Sequence, residues 1–275
     1  MFELLTDELR VQVLDPVADR ALTGVRYCTG GYVFQVHDAR LGPLMSGPTY
    51  PDDFNWFDGQ GIPDAFALAP VPGPAPLALV LGVGVCDLAA DVVVEPCTWD
   101  VTAGAGADER ALTFRTAHAF AGVSCTLERT VTLVGRVLTS TTSVVNRSDE
   151  RALPVVWFPH PFFPQPSDDE LFRTGTPVRT APNDGFEAVH GGAVLRRRVL
   201  PEGHVGPYLE LEHAADGPLR LEHRHDLLGS VTMTTTYAPG RFAVWGNHHT
   251  VSPEPFLERT LAAGADLAWS VTYTF

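Results

Sequence analysis

Between residues 123 and 133 the chain alternates with period two: Val123, Cys125, Leu127, Val131 and Leu133 are apolar, while Ser124, Thr126, Glu128, Thr130 and Thr132 are polar. Such alternation marks a strand with one face on a core and the other toward water or a groove. Arg129 is the odd-numbered position that breaks the pattern. After a turn around Gly135, a second β-branched run covers 137–145, and residues 146–150 turn the chain into a third strand. Further strands are expected near residues 10–15, 31–37, 77–85, 91–101, 111–119, 193–200, 207–213, 218–224, 230–237, 241–246 and 267–275. Helical periodicity is nearly absent, and 25 Gly and 23 Pro punctuate the short β-branched segments as turns. The fold class expected is therefore all-β, two twisted antiparallel sheets packed face to face. No linker, repeat or composition break divides the chain, so residues 1–275 are read as a single domain. The proline-rich piece 70–76 reads as a stiff surface connection, and 164–185 as a long loop arching over one face.

Charge and composition then exclude several classes of function. The net charge is −14 and every one of the 19 basic residues is arginine, so no mechanism that needs a lysine Schiff base or a P-loop lysine is available. An acidic chain without a basic stripe argues against nucleic acid and anionic membranes as partners. No apolar run is long enough to span a bilayer, and the start of the chain lacks the pattern of a signal peptide, so a cytoplasmic location is expected. Cys28, Cys86, Cys97 and Cys125 are widely spaced and read as buried thiols. His223 and His225 share a face of one expected strand but lack a third ligand, so no metal is expected. Arg196, Arg197 and Arg198 read as a solvated or interface ladder.

Two short motifs carry chemistry. In Phe158-Pro159-His160-Pro161-Phe162-Phe163 an imidazole sits between two prolines among aromatics, and in Ser252-Pro253-Glu254-Pro255-Phe256 a carboxylate is held in the same way. Proline fixes its own φ and biases the residue before it toward extended backbone, so each ionisable side chain has little freedom. Partial burial raises a carboxyl toward neutrality and makes it a usable proton acceptor. The segment from Ser46 to Gly61 is a further candidate, because Trp56 offers an aromatic face and Asp58 and Gln60 offer polar groups to a ligand; a tight glycine turn with a packed tryptophan explains it equally. His248, beside Trp245, is the histidine of the 248–249 pair better placed to reach a groove.

The order of these pieces resembles the galactose mutarotase-like group, which contains aldose 1-epimerases and hexose-phosphate mutarotases. The matching residues are Arg26 with Gly30-Gly31, Asn146, His160-Pro161-Phe162-Phe163, Val244-Trp245 and Glu254-Pro255, spread from about residue 20 to the end. The resemblance implies a β-supersandwich with a sugar groove on its concave face and a cofactor-free interconversion of sugar anomers. Glu254 matches the family's base, which takes the anomeric hydroxyl proton, and His160 its acid, which protonates the ring oxygen. Asp64, Arg26 and Trp245 would line the groove. The sequence departs from the pattern where Asp64 and Leu68 stand in place of a histidine and a sugar-gripping arginine. Those departures keep open a carbohydrate-binding or sensing domain without turnover, and, more remotely, a lyase or hydrolase using Asp64 opposite Glu254. The partner expected is a small-molecule sugar; a homodimer is left open.

Overall fold

The computed structural model describes residues 1–105, 110–200, 205–214 and 216–275. Among them the chain is almost entirely antiparallel β, its helical elements being two single 3-10 turns at Arg20–Leu22 and His190–Gly192. A ten-stranded sheet runs in the order Asp100–Ala105, Arg110–Phe120, Val123–Val134, Val137–Asn146, Asp266–Thr274, Gly229–Thr235, Arg220–His225, Glu170–Thr174, Val194–Arg197, Phe186–Val189. A second large sheet runs Val178–Thr180, Tyr208–His213, Arg241–Gly246, Thr250–Leu261, Leu153–Pro159, Asp64–Ala65. Two four-stranded sheets, built from residues 2–43 and 71–96, complete the architecture. No described helix is long and apolar enough to cross a membrane.

Alternation dictates which face each strand buries. In Val123–Val134 the odd-numbered side chains point inward, where Leu127, Val131 and Leu133 join Val144, Val271, Trp269, Trp157 and Phe242 in one apolar cluster that reaches both large sheets. Burying an aliphatic side chain contributes roughly 1.5–3 kcal/mol, so a cluster of this extent dominates cohesion between the sheets.

The expected strands lie near where the pattern placed them, but Phe2–Leu5, Val71–Pro72 and Phe186–Val189 are strands it did not place, the second inside the proline-rich connection, and three expected stretches differ. The stretch 77–85 is a hairpin, Leu77–Val80 and Gly84–Asp87, because Gly82 turns the chain at φ +72°. The stretch 91–101 is two strands, Val92–Pro96 and Asp100–Ala105. Residues 164–185 are not a loop: Glu170–Thr174 and Val178–Thr180 join opposite sheets within it. Arg196, Arg197 and Arg198 face Asp169 and Glu187 at 3.2 to 3.9 Å in a ladder of surface ion pairs. All four cysteines are free thiols.

Candidate active site

The strand Thr250–Leu261 pairs with Leu153–Pro159 through Trp157↔Leu257, and with Phe163–Pro164 through Phe163↔Val251. Between these two paired stretches the register is the same, which sets His160 opposite Glu254, Phe158 opposite Phe256 and Phe162 opposite Ser252. The Phe158 and Phe256 rings accordingly stack at 4.5 Å. The intervening stretch has no ladder, and its prolines account for the gap. The N–H groups of His160 and Phe162 donate the other way, to Pro63 and Gly61 carbonyls at 2.8 Å each. By antiparallel alternation, the donors that would face Thr250–Leu261 belong to residues 159 and 161, and those facing back to 253 and 255. All four are prolines and have no N–H to give. The Pro255 carbonyl freed on this side accepts from Tyr237 Oη at 2.7 Å.

Across this unzipped segment His160 Nε2 lies 3.3 Å from Glu254 Oε1, with each residue only 3% exposed. The imidazole is ringed by Phe162 at 4.3 Å, Phe158 at 5.8 Å, and Tyr27 and Trp245 at 6.0 Å. Glu254 is paired across the sheet with the small Ala243, and Trp245 with Ser252, so Trp245, Ala243, Ser252 and Glu254 share one face. Two buried polar atoms at the pair, His160 Nδ1 and Ser252 Oγ, have no hydrogen-bond partner among the described residues, and Glu254 Oε1 meets only the His160 ring. Native proteins leave few such atoms, and those they leave call for an explanation.

Burial is the main electrostatic cause at the pair. It pushes the Glu254 carboxyl up to about 8, against the smaller pull of Arg26 and then Arg241. Burial, reinforced by Arg26, holds the His160 imidazole well below its usual range. At neutral pH the pair therefore holds one proton between its two members.

The supporting stretch Gly61–Ala65 is threaded between two strands. Gly61 adopts φ +76°, and a Cβ there would lie 2.3 Å from the Phe34 carbonyl oxygen, so glycine is required for the approach. Ile62 N–H donates to Val33 O at 2.8 Å on one side, while Pro63 and Gly61 carbonyls hold the His160 segment on the other.

The site residues expected from sequence fall into two groups. Arg26 is at the pair: its guanidinium lies over the Tyr27 and Phe57 rings at 5.0 and 5.1 Å, donates from Nη1 to Phe57 O at 2.8 Å, and acts on both Glu254 and His160. Trp245 is there as well. Asp64 is not on the face of the pair. Its register, Asp64↔Pro159 with Ala65↔Phe158, turns Ala65 to the His160 face and Asp64 to the opposite one. There its carboxylate takes both terminal nitrogens of Arg129 in a buried bidentate pair, and Arg129 also donates to Ser140 Oγ at 3.0 Å. Burial works against the Arg129 charge, but Asp64 outweighs it and keeps the guanidinium protonated above its usual range.

Trp56 is also elsewhere. It covers Gly24 and lines a separate cavity of about 320 Å³ with Arg20, Asp91 and Cys97. Gln60 is buried beside Gly47, its N–H donating to Tyr32 Oη at 3.1 Å. His248 is exposed on the turn before Thr250–Leu261, its ring 3.8 Å from that of His249. Leu68 is 55% exposed. His223 packs on Phe163 at 4.3 Å and His225 Nε2 is 3.0 Å from Leu44 O.

Sequence reasoning missed Ser252 and Tyr27, which stand beside the pair, and Arg241, which acts on Glu254. Ser252 had a signal, standing two residues before Glu254 and so on the same side of a strand. Tyr27 had none.

Comparison with solved structures finds the same architecture over the whole chain. A galactose mutarotase-related enzyme from Lactobacillus acidophilus superposes with a TM-score of 0.62 at 14% identity, covering 99% of this chain and 96% of that one. A galactose 1-epimerase from the same species gives 0.54 at 12% identity, covering 99% and 92%. A galactose mutarotase-like protein from Clostridium acetobutylicum gives 0.52 at 11% identity, covering 98% and 93%. No protein-family profile matches the sequence, and no curated protein matches it. At these identities what is shared is the fold.

Proposed function

We propose, from the premise that the chain has a galactose mutarotase-like fold, that it is an aldose 1-epimerase-type isomerase that interconverts the anomers of a sugar. The observation that carries this reading is the buried His160–Glu254 pair, 3.3 Å apart, with His160 Nδ1 and Ser252 Oγ unpartnered beside it. Hydroxyl groups of a sugar are donors and acceptors at once and would satisfy both atoms.

Anomer exchange needs a base on the anomeric hydroxyl and an acid on the ring oxygen, acting together; the ring opens, the C1–C2 bond rotates and the ring recloses. A pair that shares one proton can supply both roles without changing its net charge. Burial leaves the resting proton on Glu254, and its transfer to His160 Nε2 generates the carboxylate base and imidazolium acid. Polar contacts from the bound sugar offset the desolvation that disfavours this charged form. Arg26 lies close enough to stabilise the carboxylate electrostatically, and Trp245 offers an aromatic face to the apolar side of the ring. Exchange of anomers across a panel of aldoses, followed by NMR with Glu254→Gln as control, tests the reading.

A second reading, a sugar-binding or sensing domain without turnover, draws on one observation. The stretch that would bring a second histidine and a gripping arginine instead carries Asp64, committed to Arg129, and the exposed Leu68. Sugar-dependent melting without anomer exchange would favour it.

A further inference from the structure

We propose that the site continues past Trp245 into a second saccharide subsite built on Tyr208, so that the favoured substrate carries a neutral glycosyl unit beyond the reacting ring; this inference rests on the anomer-exchange reading above. The register Tyr208↔Trp245 places the two aromatic residues side by side across neighbouring strands. Residues opposed in this way have Cβ atoms about 4.5–5.5 Å apart, close to the repeat of one pyranose ring. Trp245 is 6.0 Å from the His160 ring. Tyr208 lies within electrostatic reach of Glu254 and Arg241, and its hydroxyl is 3.5 Å from Glu210 Oε1. An aromatic strip thus leads away from the proton-transferring pair.

Tyr208 is 48% exposed, and beyond Trp245 it lines a cavity of about 930 Å³ with Asp184, Arg198, Val199 and Pro207. That volume falls within the range of small-molecule sites, whose walls are mostly apolar with a few polar groups. The charges decide what the extension is. Arg198 Nη2 is already 3.2 Å from Glu187 Oε2 and Arg241 Nη1 3.3 Å from Glu210 Oε1, and Asp184 adds a further carboxylate. A phosphate would meet two guanidiniums that already have carboxylate partners, together with the further acid Asp184, an unfavourable balance. A glycosyl unit instead lays its C–H face on Tyr208 and offers hydroxyls to carboxylates and guanidinium alike.

The test pairs binding with turnover. Calorimetric titration of maltose, cellobiose and lactose against glucose and galactose, on the wild-type protein and Tyr208→Ala, is run beside NMR anomer exchange on the same sugars. The subsite predicts that at least one disaccharide binds about tenfold tighter than its reducing-end monosaccharide, and that Tyr208→Ala lowers this ratio toward unity. Equal binding of disaccharide and monosaccharide, or a ratio untouched by Tyr208→Ala, overturns the subsite. Exchange of monosaccharides without a disaccharide preference overturns the subsite alone. A disaccharide preference without exchange leaves the subsite standing and removes the isomerase reading.

Discussion

Asp64 and Arg129 form a buried bidentate ion pair that ties the short strand Asp64–Ala65, in the sheet that carries the catalytic candidates, to Val123–Val134 in the opposing sheet. The same short strand, through Asp64↔Pro159 and the Pro63 carbonyl, holds the backbone on which His160 stands. An ion pair between sheets therefore sets the height of the imidazole from behind, while the face that would meet a sugar is left to His160 and Glu254.

Breaking that pair should be costly. Arg129→Met leaves the Asp64 carboxyl buried without its partner, and denaturant unfolding should show a loss of about 3–5 kcal/mol. Replacing both members by apolar residues of similar size should recover much of it, since removing a buried pair whole is far cheaper than orphaning one half. A loss within a few tenths of a kcal/mol for the single variant would mean that the pair does not anchor the strand.

Sequence and structure agree most closely where one face of a strand is wet. The alternation of 123–133 is legible because its even positions reach the surface, and its one exception, Arg129, marks the buried charge. What alternation cannot give is the partner, since Asp64 lies 65 residues away in sequence. Asp64 was expected in the groove because it stands where the resemblance places a histidine; its side chain points the other way because its register opposite Pro159 puts it on the face away from His160, which the sequence alone does not show. The strand Thr250–Leu261 carries no readable pattern, as its first eight residues are buried whichever way they point and two of them are prolines. His160 and Glu254 were legible as a repeated motif, but not the reason for the repeat: each proline pair removes the donors of a ladder that only the register reveals.

The pH dependence of anomer exchange should report the shared proton. The pair is competent while it holds one proton, and burial places the loss of that proton at about 8 on Glu254. Exchange rate measured against pH should be level through neutrality and fall as pH rises past that value, with no drop near the ordinary histidine range because His160 resists protonation there. A rate that climbs through pH 8 would exclude the one-proton form as the active one.

Arg26 pulls the Glu254 carboxyl down against burial. Arg26→Ala should therefore move the alkaline limb of the same profile to higher pH and raise KM for the sugar. A limb that stays in place would remove Arg26 from the electrostatics of the pair.

Stability should carry the same signature. Glu254 has a folded-state value of about 8 against an ordinary 4.5, so the folded chain retains a proton that the unfolded chain releases. The resulting stabilisation is complete below the ordinary value and is lost as pH rises through the folded one. Glu254→Gln, neutral throughout, should gain on the wild type from about pH 5 to about pH 9, by an amount on the order of 4 kcal/mol. Parallel stability curves for the two proteins would show that Glu254 is not held protonated by burial.

The most direct measurement is NMR exchange spectroscopy on a panel of aldoses at neutral pH, with wild type, Glu254→Gln and His160→Asn compared at equal concentration. Acceleration of anomer exchange by the wild type on at least one sugar, reduced by about 10²-fold or more in each variant, is the result predicted. No acceleration on any sugar, or equal rates in all three proteins, would contradict the assignment of this pair as the acid and base.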